Sequence, residues 1–175
     1  MVSHHVIDGD SVPVMVLVPM IPLLVVWVIV GTWLTVVDLR EHRLPNAFTI
    51  PMLVVVPLGL GVADLLGEAP TSGGGWIGAG LGAAIWFGVL GLLWLVTRGQ
   101  GMGLGDVKLA PSLGATLGWV GVGTAFAGLI VAFVLGGVVS LLLLMTKRVQ
   151  RRTAIPFGPF LLLGAAVTIV LSVYA

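Results

Sequence analysis

Cysteine is absent from the 175-residue chain, which excludes disulfide bonds and thiolate metal sites. Charged side chains are scarce, at 9% of residues, whereas 58% of residues are hydrophobic. In a soluble domain about a quarter of the residues are charged. The few histidines, at positions 4, 5 and 42, lie in polar segments and form no metal-binding pattern. We therefore expect an integral membrane protein with neither a metal ion nor another cofactor.

Apolar runs of bilayer length account for most of the chain. About 20 apolar residues in a helix cross a bilayer, and the run from 107 to 145 is about twice that length, with a glycine-rich break at 118–123. The first run is too long for a signal peptide and lacks the basic flank of one. We predict an all-α, polytopic membrane helical bundle that forms a single domain over residues 1–175. Its six transmembrane helices are expected at residues 14–37, 48–66, 76–97, 107–120, 122–145 and 155–174.

Two further features of the apolar runs predict how the helices are arranged. Gly74, Gly78 and Gly82 recur every four residues, which places small residues on one helix face and predicts close packing against another helix. Trp119, within the break at 118–123, is expected at the membrane–water interface, where tryptophan is enriched.

The charged residues predict the orientation of the bundle. If six spans alternate in direction, all eight lysines and arginines fall on one side, including the basic cluster at 147–152. Basic loops face the cytoplasm, so both termini are predicted to lie outside it. The basic cluster is interpreted as a topology determinant that contacts lipid headgroups, with no role in nucleic-acid binding. Four acidic residues fall on the opposite side: Asp8, Asp10, Asp64 and Glu68.

This topology brings two carboxyl groups to the same membrane depth, Asp38 at the cytoplasmic end of the first span and Asp106 at the start of the fourth. In residues 101–109, GMGLGDVKL, three alternate glycines precede Asp106 and allow another backbone to approach closely. An ionised carboxylate at the edge of hydrocarbon is costly unless it is paired, protonated or hydrated. Its presence indicates a function. The alternative is a flexible turn in which Asp106 is a solvated helix cap.

The stretch 101–109 resembles the signature of the prepilin peptidase family, membrane aspartic proteases of the Gly-x-Gly-Asp type. Two other stretches resemble family elements, namely Asp38 followed by Leu-Pro-Asn at 44–46, and IPFGPF at 155–160. The resemblance implies that Asp38 and Asp106 are the catalytic pair. It further implies a motif around Asp106, formed by Gly101, Gly103, Gly105 and Lys108. Four other residues are implied as possible support for the substrate site: Pro45, Asn46, Pro156 and Gly158.

Two carboxyl groups held close together share a proton over a wide pH range, so that one acts as a base and the other as an acid. The resemblance implies that this pair cleaves after a glycine, removing the short basic leader of prepilin or pseudopilin-like proteins at the cytoplasmic face of the cell membrane. Larger family members also methylate the new N-terminus and carry an insert with paired cysteines, which this chain lacks. We expect a peptidase without methyltransferase activity or an S-adenosylmethionine site.

Two functions of other classes remain open. A small proton-coupled transporter would also place carboxyl groups in a helical bundle, but nearer the bilayer midplane and often with internal repeats. A non-catalytic assembly protein of pilus export would keep the fold without the chemistry.

The glycines of the motif give a further expectation. An added Cβ atom at Gly103 or Gly105 is expected to obstruct the close approach of Asp106 or of the substrate backbone, and Gly105→Ala to remove most of the activity. Alanine at Gly78, in the third predicted span, is expected to have a milder effect, chiefly on folding.

Overall fold

A computed structural model describes Ile29 and residues 46–65, 74–99, 102–146 and 157–174. Within these ranges the regular structure is entirely α-helical and no strand occurs, which confirms the predicted all-helical class. The predicted first span, 14–37, lies outside the described residues except for Ile29. The described helices are α1 (Asn46–Leu65), α2 (Gly75–Thr97), α3 (Leu104–Val120), α4 (Val122–Met145) and α5 (Gly158–Tyr174).

The helix ends follow from glycines and from backbone hydrogen bonds. Gly121, with φ 175° and ψ 147°, is the one extended residue between α3 and α4, so the predicted break at 118–123 is confirmed. At the start of α5 the backbone N–H groups of Phe160 and Leu161 donate to the carbonyl oxygen of Phe157, at 3.0 and 3.2 Å. Helix α5 therefore begins three residues after the predicted 155, while α3 begins three residues before the predicted 107.

Two of the described helices, α2 and α4, are long and apolar enough to cross a membrane, and α1 and α5 contain shorter apolar stretches, Pro51–Val62 and Gly158–Ser172. Large apolar side chains cover the outer faces of these helices, which is the arrangement expected where a bundle faces lipid tails. Examples that are more than half exposed are Leu58, Ile77, Leu92, Ile130, Val134 and Leu171.

Helix α3 lies at the centre of the described bundle and packs against α1, α2, α4 and α5. Most of its residues are buried, including Asp106, Leu113 and Leu117. Trp119 is also fully buried, because α3 is an interior helix whose C-terminal end is covered by the backbone of Gly74 at the start of α2. The expectation that Trp119 lies at the depth of the membrane–water interface stays a prediction.

Glycines on α2 and α3 allow the backbones of the two helices to touch. A Cβ atom built on Gly82 would overlap the carbonyl oxygen of Gly114, and one built on Gly118 would overlap that of Gly78. We call these four residues, Gly78, Gly82, Gly114 and Gly118, the glycine seam. The prediction that the glycines of the third span serve close helix packing is confirmed, and their partners are the glycines of α3, which also lie four residues apart.

The contacts between helices fix which ends lie together. Gly164 on α5 packs against Ala132 on α4, and Thr168 lies near Gly128, so these two helices are antiparallel. Helices α2 and α3 are antiparallel in the same way through the glycine seam, and α3 and α4 are joined by Gly121 alone. The C-terminal ends of α2 and α4 therefore share one end of the bundle with the N-terminal ends of α3 and α5.

Candidate active site

Asp106 is the third residue of α3 and is only 1% exposed. Its backbone N–H donates to the carbonyl oxygen of Gly103 at 3.2 Å, so the residue belongs to the first helical turn, and the residue that caps the helix is Gly103. A buried carboxyl group within a helix is neither a flexible turn nor a solvated cap. This observation excludes the turn alternative for Asp106.

Helix α2 ends in a left-handed turn. Arg98 and Gly99 adopt left-handed backbone conformations, with φ of 52° and 72°, and the N–H of Gly99 donates to the carbonyl oxygen of Trp94 at 2.9 Å. Glycine adopts this conformation at little cost, whereas an arginine there is uncommon. Shortly before α3 begins, Met102 is 4% exposed and lies in the core.

Gly158, the first residue of α5, packs against the Asp106 carboxyl group. A Cβ atom built on Gly158 would lie 3.1 Å from Asp106 Oδ1, a contact tighter than most real ones. The carboxyl group thus lies in the first turn of its own helix and beside the first residue of another. Helix N-termini carry unsatisfied N–H groups and a partial positive charge, so both favour negative charge at this position.

The two glycines nearest to Asp106 in the motif, Gly103 and Gly105, differ in their surroundings. A Cβ atom on Gly103 would lie 3.8 Å from Asp106 Oδ2, an ordinary van der Waals distance, and the residue is exposed. A Cβ atom at Gly103 would therefore make only ordinary contact with Asp106 itself, and the expected obstruction of a substrate backbone stays a prediction. Gly105 is the second residue of α3 and is partly exposed; its effect on activity stays a prediction.

The residue before Gly158 anchors the start of α5 to α4. The ring of Phe157 lies over Gly136, where a Cβ atom would come within 2.5 Å of Phe157 Cε2. Its ring centroid is 5.2 Å from that of Phe133 and 5.9 Å from that of Phe160. The sequence pattern at 155–160 includes Phe157 but indicated a role only for Pro156 and Gly158, and Gly136 was not predicted, although the Gly136-Gly137 pair interrupts an otherwise bulky run.

The remaining predicted site residues are described only in part. Lys108 is half-buried on α3, two residues after Asp106, and Asn46 is the first residue of α1. No three histidine, aspartate or glutamate side chains come together within the described part of the chain. Four predicted residues lie outside the described ranges: Asp38, Pro45, Gly101 and Pro156.

Comparison with known proteins yields one family. Residues 22–170 match the sequence model of the type IV leader peptidase family. The chain is 34% identical over 139 residues to a prepilin leader peptidase/N-methyltransferase of Aeromonas hydrophila, covering 79% of this chain and 45% of the relative. Proteins of the same name from Burkholderia pseudomallei (strain 1026b) and Pseudomonas putida are 33% and 32% identical, over 78% and 92% of this chain and 42% and 51% of theirs.

The chain spans about half the length of the curated relatives that it matches. No solved structure matches it significantly.

Proposed function

Because the chain belongs to the type IV leader peptidase family, we propose that it is an aspartic endopeptidase that removes the N-terminal leader of prepilin or pseudopilin-like substrates. The observation that carries the proposal is the burial of Asp106 in the first turn of α3, against the first residue of α5. Carboxyl groups are rarely this deeply buried, and those that are buried in helical clefts are concentrated at functional sites. The single peptidase domain of the proposal extends over residues 1–175.

The proposed reaction uses Asp38 and Asp106 as a pair that shares one proton. The ionised carboxyl group removes a proton from water as the water oxygen attacks the carbonyl carbon of the scissile bond, and the protonated carboxyl group donates to the developing oxyanion. When the tetrahedral intermediate collapses, the C–N bond breaks and the leaving amine receives a proton. The two helix N-termini at Asp106 support its assignment as the ionised partner.

Cleavage of a defined peptide tests the activity. The purified protein in detergent is incubated with synthetic prepilin leaders that continue into an apolar segment, and the products are identified by mass spectrometry. We expect cleavage after a glycine, and no methyl group on the new N-terminus even when S-adenosylmethionine is supplied. A folded protein that cuts no leader would favour the assembly-protein alternative, and a pH-driven substrate flux in vesicles would favour the transporter.

The proposed topology has six spans, both termini outside the cytoplasm, and the active site at the cytoplasmic face of the cell membrane. It is supported by the antiparallel pairs α2–α3 and α4–α5, which bring Asp106 to the same end as the exposed Arg98 and the C-terminal end of α4, after which the basic cluster at 147–152 follows. At that face the basic cluster contacts anionic lipid headgroups. Nucleic acid has no part in the proposal.

Thiol labelling checks this topology, because the chain contains no cysteine of its own. We expect a cysteine introduced at position 70 to react with a membrane-impermeant reagent in intact cells. A cysteine at position 150, within the basic cluster, should react only after the membrane is opened. If both cysteines reacted alike, the six-span arrangement would be wrong, and the shared depth of Asp38 and Asp106 would be lost with it.

The packing at Asp106 predicts different effects for two glycines. In Gly158→Ala the new methyl group lies 3.1 Å from Asp106 Oδ1, so either the carboxyl group or α5 has to shift. A misplacement of about 1 Å can lower a rate by about a hundredfold, and we expect kcat to fall by roughly tenfold or more. Gly103→Ala, whose methyl group lies at an ordinary 3.8 Å from Oδ2, should lower kcat less than Gly158→Ala, because it does not displace the carboxyl group. Equal rates for the two variants would show that contact with Gly158 does not place Asp106.

A further inference from the structure

The start of α5 also makes an aromatic contact with α4. Phe157 places its ring over Gly136 of α4, between Phe133 and Phe160. The next residue along the chain, Gly158, packs against Asp106 Oδ1. Two adjacent residues thus make the two contacts that set the position of the helix start, one to α4 and one to the carboxyl group.

Gly136 lacks a side chain where the Phe157 ring needs the space. The backbone of α4 does not itself require a glycine there. A Cβ atom at this position would lie 2.5, 3.1 and 3.3 Å from three atoms of the Phe157 ring. The neighbouring Gly137 is exposed, and a Cβ atom there would meet nothing within 4 Å. Close-packed interiors transmit strain, and the neighbouring rings of Phe133 and Phe160 limit how far the Phe157 ring can turn aside. We therefore expect part of any displacement of the ring to pass to the backbone of Gly158.

From these contacts we infer that Phe157 is a positioning residue, whose ring on Gly136 holds Gly158 against the Asp106 carboxyl group in the geometry that leader cleavage needs. The inference rests on the proposed function. The inference gives Phe157 no part in the proton transfers, and its effect is exerted through Gly158. In the sequence, this start of α5 is marked by the Phe-Gly pair at 157–158, which Pro159 follows. Proline favours the first turn of a helix because its backbone is pre-organised for it.

The test compares alanine substitutions at the adjacent residues Gly136 and Gly137. A further variant then removes the overlap between the new methyl group at position 136 and the Phe157 ring. In Gly136→Ala we expect kcat per folded protein to fall by about tenfold to a hundredfold, with KM within about twofold of the wild type. Gly137→Ala is the matched control and should keep the wild-type kcat. Adding Phe157→Leu to Gly136→Ala should raise kcat above that of the alanine variant, because leucine leaves room for the methyl group. A gain on combining two harmful substitutions is the mark of direct coupling between them.

Thermal unfolding of each variant in detergent separates positioning from a purely structural role. We expect Gly136→Ala and the double variant to unfold at similar temperatures while their kcat values differ. If Gly136→Ala cleaves leaders as fast as Gly137→Ala, or if Phe157→Leu restores no activity, the inference is wrong while the proposed function stands. If the wild type itself cuts no leader, the proposed function fails and the inference fails with it.

A second variant keeps the test decisive if Gly136→Ala does not accumulate in the membrane. Phe157→Leu adds no atom to the core and removes only the outer part of the ring. Alone it should lower kcat by about threefold to tenfold with little change in KM, since the start of α5 is then held less tightly. If Phe157→Leu alone kept the wild-type kcat, Phe157 would not be a positioning residue.

Discussion

Replacing Asp106 with asparagine is expected to lower the rate of leader cleavage by about a hundredfold to ten-thousandfold, because proton transfer by a positioned side chain contributes about 10² to 10⁴ in rate and an amide cannot carry that proton. The substitution keeps the size of a side chain that is 1% exposed, so the protein should still fold and insert. Asp38→Asn should cost as much as Asp106→Asn, and the double variant little more, since the two residues act as one unit. The measurement is kcat on a synthetic leader, with the protein level in the membrane determined in parallel.

Asp64→Asn is the matched control for this prediction. Asp64 lies near the C-terminal end of α1, is exposed, and accepts a hydrogen bond from the Trp76 indole N–H at 3.0 Å, a bond that an asparagine carbonyl oxygen can also accept. We expect this variant to cleave at the wild-type rate. Substantial cleavage by Asp106→Asn would remove Asp106 from the catalytic pair, and an equal loss in Asp64→Asn would show that the assay reports a general effect of removing carboxyl groups.

The second large effect is expected on the stability of the fold, when alanine replaces Gly82. A methyl group there would overlap the carbonyl oxygen of Gly114 and crowd the Cα atom of Gly118, at 2.9 Å. Backbone atoms cannot turn away as a side chain can, so α2 and α3 would have to separate along the glycine seam. We expect Gly82→Ala to destabilise the protein by about 3 kcal/mol or more. In thermal unfolding this corresponds to a midpoint roughly 10 °C lower.

Gly80→Ala serves as the control on the same helix, because Gly80 is exposed and a Cβ atom there meets nothing within 4 Å. Its midpoint of unfolding should equal that of the wild type. Unfolding temperatures that do not differ between Gly80→Ala and Gly82→Ala would mean that the two helices do not touch at the glycine seam.

The sequence alone predicted the helices and the face of α2 that packs, but not how tightly it packs. Spacing of four residues identifies a small face at Gly78 and Gly82, and this suggested only a mild effect of alanine. The structure pairs that face with Gly114 and Gly118, so that backbone meets backbone and the expected cost rises. Which two small faces meet is a long-range property, which no local pattern contains.

In the candidate site, too, the sequence predicted the local motif but not the contacts between distant residues. The motif at 101–109 identified Asp106 from its neighbours in sequence, and the chemistry of a buried carboxyl group supported it. Its contact with Gly158 joins residues far apart in the chain, and the ranking of Gly158 above Gly103 depends on a difference of 0.7 Å between two distances, 3.1 and 3.8 Å. The burial of Trp119 likewise depends on α3 being an interior helix, which hydropathy does not reveal because every helix here is apolar.

The single-residue connection at Gly121 also limits how the two helices that it joins can move apart. Because α3 and α4 are tied together at that end, any separation between them is smallest there and grows with distance from the joint. Asp106 on α3 and Gly136 on α4 each lie 15 residues along the chain from Gly121. Helix α5 packs more extensively against α4 than against α3, so we expect a separation of α3 from α4 to carry α5 with α4 and to part Gly158 from Asp106 before it disturbs the contact between Phe157 and Gly136.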